Sequence, residues 1–420
     1  MKTQSATDSL EQSTSTPIQN NRPYEGISCG TTDYQKAGIS IFLLGFASFS
    51  LIYCVQPLLP EFTHAFGVTA STSSLALSLT TGFLAFSIVL SSAFSQALGR
   101  KGLMFCSMGL AALLNILCAI SPSWDLMLVA RAVEGFILGG VPAVAMAWIA
   151  EEINPKHLAR TMGLYIAGTA FGGMMGRVGM GLMTEYFSWR VAMGILGVIC
   201  FMCCVGFFFL LPASRNFVAK KGINFSFHSQ AWATHLKNKA LLMNYVIGFL
   251  VMSIFVTLFN YVTFRLSTAP YTLTQTQISM IFLSYSFGIV SSTLAGYMAD
   301  KLGRTPIMCL GFLSMLVGAL ITLSGHLFAI IIGVAFVATG FFIAHAMASS
   351  NVSSTAKTNK GHASSLYLLF YYLGSSVVGS FGGVFWQHGG WPAVVGLNIA
   401  LSVIALFLIW RAVKTKIYEW

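Results

Sequence analysis

Between residues 37 and 412 the chain alternates long apolar stretches with short polar or Gly/Pro turns. A helix crosses the hydrocarbon core of a bilayer with about 20 apolar residues. The pattern predicts membrane spans at 37–60, 72–98, 102–121, 125–150, 158–186, 190–212, 240–264, 275–299, 305–324, 327–349, 362–387 and 391–412, numbered 1 to 12. One polar stretch, 213–239, is long enough to be a linker, and it separates six spans from six. Residues 1–36 are rich in Ser, Thr, Gln and Asn and lack the basic-then-apolar order of a signal peptide, so they read as a disordered tail; 413–420 form a second, short one.

Composition removes the main alternatives. Of 420 residues, 56% are hydrophobic and 8% charged, against about 25% charged in a soluble domain. No water-facing surface can be built from this, so soluble enzymes and nucleic-acid-binding domains drop out. The net charge of +11 then reads as orientation. With both termini inside, 19 of the 23 Lys and Arg residues fall in tails, linker and turns on one face, while the opposite turns hold only Arg190 and Arg265. Basic residues accumulate on the cytoplasmic side, which places both termini and the linker in the cytoplasm. Cys200 and Cys203 form a C-x-x-C inside a span without a second ligand pair, so they read as buried thiols.

The two halves repeat. LYIAGTAFGG, beginning at Leu164, aligns with LYLLFYYLGS, beginning at Leu366, at an offset of 202; this pairs Tyr165 with Tyr367, Gly172 with Gly374 and Trp189 with Trp391. The turn holding Gly99 and Arg100 aligns with that holding Gly303 and Arg304 at an offset of 204. The expected fold is an all-α membrane protein of twelve transmembrane helices in two pseudo-symmetric six-helix bundles, 37–212 and 240–412. Such an arrangement places substrate between the bundles near the midplane.

At these residues the sequence resembles the major facilitator superfamily, over essentially all of 37–412. The family's turn signature, G-x-x-x-D-x-x-G-R-[KR], stands between spans 8 and 9 as Gly296, Asp300, Gly303 and Arg304. Between spans 2 and 3, Ser92 and Gln96 replace its Gly and Asp, while Gly99, Arg100 and Lys101 remain. Span 4 carries the family's R-x-x-x-G as Arg131 and Gly135. Span 5 resembles the glycine-rich motif of drug/proton antiporters, with Gly163, Gly168, Gly172, Gly173 and Gly176. It departs from that motif at Gly172-Gly173, where the family has G-P, and at Arg177, in place of the last Gly. LIYCVQPLLP and YYLGSS resemble bacterial inner-membrane transporters of the YnfM type. The resemblance implies a cavity lined by spans 1, 4, 7 and 10. It also implies a cytoplasmic gate, closed when the protein opens outward, with Asp300 near Leu158–Thr161 and the weaker, uncharged Gln96 near His362–Ser364.

Four ionisable side chains fall deep in the spans: Arg131, Glu134, Arg177 and His345. Charge in a bilayer is costly and marks a transport pathway by default, with structural pairing as the competing reading. Arg131 and Glu134, three apart, share a helix face where an ion pair is feasible. The pair is either structural or a switch in which Glu134 takes up a proton and loosens its hold on Arg131. Arg177 either lines the cavity as an anion ligand or pairs with a carbonyl or Glu134. His345 is either a titrating group or a hydrogen-bonded packing residue. Tyr53, Gln56 and Pro57 are expected to interrupt span 1, and Asn260 with Tyr261 span 7. With Tyr285, Tyr371 and Tyr372 these are candidate cargo contacts, against the packing role that aromatics more often have. Gly168, Gly172, Gly173 and Gly176 let span 5 approach a neighbour closely. Glu151 and Glu152 either pair with Arg100 or Lys101 or are solvated turn charges.

No metal cluster, P-loop or nucleophile motif is present in the sequence, so neither cofactor, metal nor enzyme chemistry is expected. The expected function is that of a monomeric secondary active transporter in the bacterial inner membrane. By alternating access it would export a small organic molecule in exchange for protons. The alternative is uptake of a small organic anion by proton symport or facilitated diffusion, which two deep arginines against one carboxylate would suit. A non-transporting receptor on the same scaffold stands third.

Overall fold

The computed structural model describes residues 26–216 and 225–418, with backbone only at 92–98, 159 and 225. Spans 1 to 6 are Thr32–Phe66, Ala70–Leu98, Arg100–Ala119, Trp124–Glu152, Leu158–Tyr186 and Trp189–Leu210. Spans 7 to 10 are Lys239–Ser267, Gln275–Leu302, Arg304–Ile321 and Leu327–Thr355. The long stretch Lys360–Lys414 divides at Gly390, whose φ of 59° is non-helical and suits a glycine. Span 11 is therefore 360–389 and span 12 is 391–414. A further helix, Phe225–Lys237, lies in the linker.

Span 1 breaks where Pro57 predicts. Its first segment ends at Tyr53, a 3-10 turn covers Gln56–Leu58, and helix resumes over Leu59–Phe66. Proline has no N–H for the carbonyl four residues back. Span 7 departs from expectation, because its helix runs unbroken through Asn260 and Tyr261. Both residues keep their backbone N–H, and their side chains find partners outside the helix. Asn260 Oδ1 accepts from Gln56 Nε2 at 2.6 Å, and the Tyr261 hydroxyl donates to the Gly379 carbonyl at 2.9 Å. Polar character without a missing donor does not interrupt a helix.

Glycines set the closest helix contact. A Cβ on Gly168, Gly172 or Gly176 would come within 2.7 Å of Phe42 O, 2.2 Å of Phe46 O or 2.7 Å of Ser50 Cα. The four-residue spacing puts all three on one face of span 5, whose backbone lies directly on span 1. Gly173 faces elsewhere, toward the Arg177 side chain. A Cβ on Gly374, the repeat partner of Gly172, would meet the same obstacle in the second half, 2.2 Å from Phe249 O. The duplicated turns also match: Gly99 has φ 82° and ψ 144°, Gly303 has φ 86° and ψ 157°.

Within the first half span 1 packs on 5 and 6, 3 on 6 and 2 on 4; within the second, 9 packs on 10, 8 on 10 and 7 on 11. Spans 2 with 11 and 5 with 8 join the halves. Of the tail expected over 1–36, residues 1–25 lie outside the described residues. The rest is ordered: Thr31 caps the helix starting at Thr32, and Ile27 exchanges backbone hydrogen bonds with Glu152 (2.7 Å) and Asn154 (3.1 Å) at the end of span 4.

Candidate functional site

A cavity of about 470 Å3 lies between the halves. Spans 1, 4 and 5 contribute Phe49, Tyr53, Met146, Tyr165 and Arg177; spans 7, 8, 10 and 11 contribute Phe255, Tyr285, Phe341, His345, Tyr371 and Tyr372. The walls are mostly apolar and rich in Phe and Tyr, and no Asp or Glu is among the described residues that form them.

Arg177 is the cation of the wall. Its guanidinium carbon lies 4.1 Å from the Tyr53 ring centroid, 4.9 Å from that of Tyr285 and 5.2 Å from that of Phe282, within cation–π range. Nε donates to Gln56 Oε1 at 2.6 Å, and Nη1 donates to the Gly173 carbonyl. So the carbonyl pairing and the place on the wall, posed as alternatives by the sequence, both hold, and Glu134 is not a partner. The hydroxyls of Tyr165 and Tyr285 have no hydrogen-bond partner among the described residues, although both residues are buried.

His345 faces the same space from span 10. Its Nδ1 lies 2.9 Å from the Tyr367 hydroxyl, and its ring stacks on Phe341 and lies 4.6 Å from that of Tyr371. Tyr371 and Tyr372 line the cavity; Gln56, Asn260 and Tyr261 do not, being packed where the halves meet.

Arg131 and Glu134 form a pair of their own away from the cavity wall, 2.6 Å apart and both fully buried. The guanidinium also donates to the carbonyls of Leu51 (3.1 Å), Ile52 (2.8 Å) and Ala76 (3.1 Å). The break at Pro57 explains two of these contacts: Leu51 and Ile52 close the first segment of span 1, where carbonyls run out of helical donors and negative potential accumulates. Glu134 Oε1 has no partner among the described residues.

The two faces of the bundle differ. On the face opposite the linker, the halves are stitched. Ser380 Oγ donates to Ser78 Oγ at 2.7 Å, Gln275 Nε2 to Glu61 Oε1 at 3.1 Å, and Thr274 Oγ1 and Thr276 N to Glu185 Oε2 at 2.8 and 2.9 Å. On the linker face the bonds that the turn signatures make to described residues lie within their own halves. Arg100 makes a two-point pair with Glu151 (2.6 and 3.1 Å), Lys101 donates to Leu211 O at 2.6 Å, and Arg304 donates to Ser354 Oγ at 2.6 Å. Glu152 accepts from the backbone of Arg215 and Asn216, both at 2.9 Å. Asp300 is exposed and makes no cross-half bond among the described residues; the Gln96 side chain lies outside them. Gly296 has open space around it. The cavity thus extends toward the linker face, past Thr293, Ser349 and Leu368.

Glu61, Glu185, Gln275 and Ser380 carry the stitching, and the sequence reading singled out none of them. They belong to no motif, and each sits at a helix end or on an ordinary polar position. Tyr165 and Tyr367 were visible only as repeat partners.

The sequence profile of the Major Facilitator Superfamily matches residues 41–274 and 266–417. The chain is 42% identical to the uncharacterized MFS-type transporter YybF of Bacillus subtilis, over 90% of this chain and 94% of that one. It is 38% identical to the inner membrane transport protein YnfM of Escherichia coli, over 95% of each. Among solved structures it resembles a bacterial homolog of the human lysosomal transporter Spinster, in an inward-facing and unoccupied conformation, with a TM-score of 0.71 at 13% identity, covering 94% of this chain and 100% of that one. The chain belongs to the major facilitator superfamily and is a multi-pass membrane transporter rather than an enzyme.

Proposed function

We propose that this transporter exports a small organic anion with an aromatic or otherwise apolar body across the bacterial inner membrane in exchange for protons. Both termini and the linker are cytoplasmic in this reading, following the basic bias of that face. The observation that carries the cargo is Arg177. The residue is 1% exposed, and its guanidinium stands on the cavity wall among aromatic faces with no carboxylate beside it among the described residues. A buried charge is stabilised when a counter-ion reaches it. A bound anion supplies that charge, and the apolar walls take its body. This cargo is the anion of the alternative reading, while export and proton exchange follow the antiporter-like glycines of span 5.

With the linker face cytoplasmic, the conformation is inward-facing and loads from the cytoplasm. Outward movement of an anion also follows an inside-negative potential, which contributes about 2.3 kcal/mol per charge per 100 mV. Glu134 is the proton carrier: Oε1 is buried without a partner among the described residues, so a proton there displaces no hydrogen bond, and neutralisation weakens the hold on Arg131.

Proteoliposomes test the reading with labelled benzenesulfonate, whose charge persists at all working pH values and which does not leak as a neutral acid. An imposed pH gradient should drive it against its own gradient, opposite to the protons. Transport indifferent to the gradient would sink the exchange; carriage of neutral or cationic analogues in preference to sulfonates and carboxylates would sink the anion.

A further inference from the structure

Gln56 and Asn260 stand 204 residues apart, the same offset that relates Gly99 to Gly303 and Arg100 to Arg304. They are repeat equivalents, and they touch: Gln56 Nε2 donates to Asn260 Oδ1 at 2.6 Å, with both side chains fully buried. Equivalent residues in contact lie on the pseudo-two-fold axis between the halves. The orientation of the Gln56 amide is dictated by chemistry. Arg177 offers only donors, so the oxygen of Gln56 must face Arg177 Nε (2.6 Å) and its NH2 must face Asn260. A cation donating to an amide oxygen strengthens the bond made by that amide's N–H.

The chain Arg177–Gln56–Asn260 therefore begins on the cavity wall of one half and ends in the other. It is asymmetric. At the 202 offset, a glycine, Gly379, stands where the repeat would place a second arginine. Asn260 Nδ2 points there, 3.5 Å from where a Gly379 Cβ would lie, and has no partner among the described residues. At their axis the first half carries a guanidinium that the second half lacks. Arg177 Nη2 makes no hydrogen bond among the described residues, whereas Nε is held by Gln56 and Nη1 by Gly173.

We propose that Asn260 is a positioning residue for anion recognition. Acting through Gln56, it holds the Arg177 guanidinium so that its free edge meets the cargo, and so makes anion affinity depend on contact between the two halves. This deepens the anion reading above and rests on it. Coupling of this kind is reciprocal: the anion must favour the state in which Gln56 and Asn260 are bonded, which gives the differential binding that any ligand-driven shift requires.

The test is equilibrium binding of benzenesulfonate and of its neutral relative benzenesulfonamide to the purified full-length protein. Asn260→Leu and Gln56→Leu should each weaken benzenesulfonate binding by about tenfold, the scale of one charge-assisted hydrogen bond, and leave benzenesulfonamide binding unchanged. The double variant should be no weaker than Gln56→Leu alone, because both act through one relay; independent contributions would instead add, and a merely structural role would affect both ligands alike. Asn260→Ser, smaller and too short to reach Gln56, gives the same reading if the leucine variant does not fold. Wild-type affinity for the sulfonate in a folded Asn260 variant, or additive losses, overturns the relay while leaving the anion cargo standing. If the wild-type protein binds no sulfonate or aromatic carboxylate, the relay falls together with the anion cargo.

Discussion

Glu185, in the last turn of span 5, accepts a hydrogen bond from the backbone N–H of Thr276, in the first turn of span 8, at 2.9 Å, and another from the Thr274 hydroxyl at 2.8 Å. The first N–H groups of a helix lack intrahelical partners and carry positive potential, so a carboxylate of one half caps a helix of the other. This is the kind of contact the turn signature leads one to expect from Asp300 at the linker face, built instead at the opposite face by a residue outside any motif. Glu185→Ala removes it. The share of protein open on that face should rise by about twofold to fivefold, the modest range of exposed helix-end contacts. Spin-label distances across that face read the shift, and an unchanged distribution would contradict the latch.

The Arg131–Glu134 pair separates stability from coupling. Arg131→Ala leaves Glu134 buried without its cation and the Leu51, Ile52 and Ala76 carbonyls without their donor. Breaking a buried pair in this way costs about 3–5 kcal/mol, so the variant should unfold at markedly lower temperature or denaturant. Glu134→Gln keeps an oxygen acceptor for Arg131 and should lose far less. If Glu134 carries the proton, that variant keeps anion exchange between the two sides and loses transport driven by a pH gradient; retained gradient-driven transport removes Glu134 from the coupling.

The glycines of span 5 are not equivalent. A Cβ at Gly172 would lie 2.2 Å from Phe46 O, while at Gly163 nothing comes within 4 Å. Gly172→Ala must push span 5 off span 1, at a cost of about 1–3 kcal/mol for overpacking. Gly163→Ala should be neutral or stabilising by up to about 1 kcal/mol from helix propensity. Unfolding of the two variants in a denaturing detergent compares them directly, and equal stability would contradict the packing assigned to Gly172.

What the sequence makes legible follows from what each signal measures. Apolar length locates the spans, because the bilayer fixes it, and the 202 and 204 offsets locate the duplicated halves. Pro57 locates the break in span 1, because a missing N–H is a property of one residue. Asn260 and Tyr261 mislead at the same level, since whether a polar side chain disturbs a helix depends on partners brought by spans 1 and 11. The cavity was only partly visible for the same reason. Arg177 announces itself by charge, whereas Phe341 and Tyr165 are ordinary aromatic residues until the fold turns them to one space. The stitching residues carry no local signal, because a serine or glutamate at a helix end looks the same with or without a partner across the gap.

The linker helix offers a pH response that can be read independently of transport. His228 Nδ1 and His362 Nε2 lie 2.8 Å apart, one ring donating and the other accepting, and His235 Nε2 lies 3.2 Å from the Asn359 carbonyl at the start of span 11. Trp232 and Phe227 pack their rings around His362. The His228–His362 bond requires one neutral imidazole; with both charged, two cations face each other. Lys237, Lys239 and Lys360 stand nearby in sequence, and neither 213–239 nor 356–373 contains an Asp or Glu to offset the charge. Acid should therefore release the linker helix. A spin label at Gln230→Cys, on the exposed side of this helix, should become several-fold more mobile between pH 8 and pH 5. His362→Gln supplies a neutral donor and acceptor, so the same label should lose most of that response. A label equally immobile at both pH values in the wild-type background, or an undiminished response in His362→Gln, would show that the histidine pair does not hold the linker.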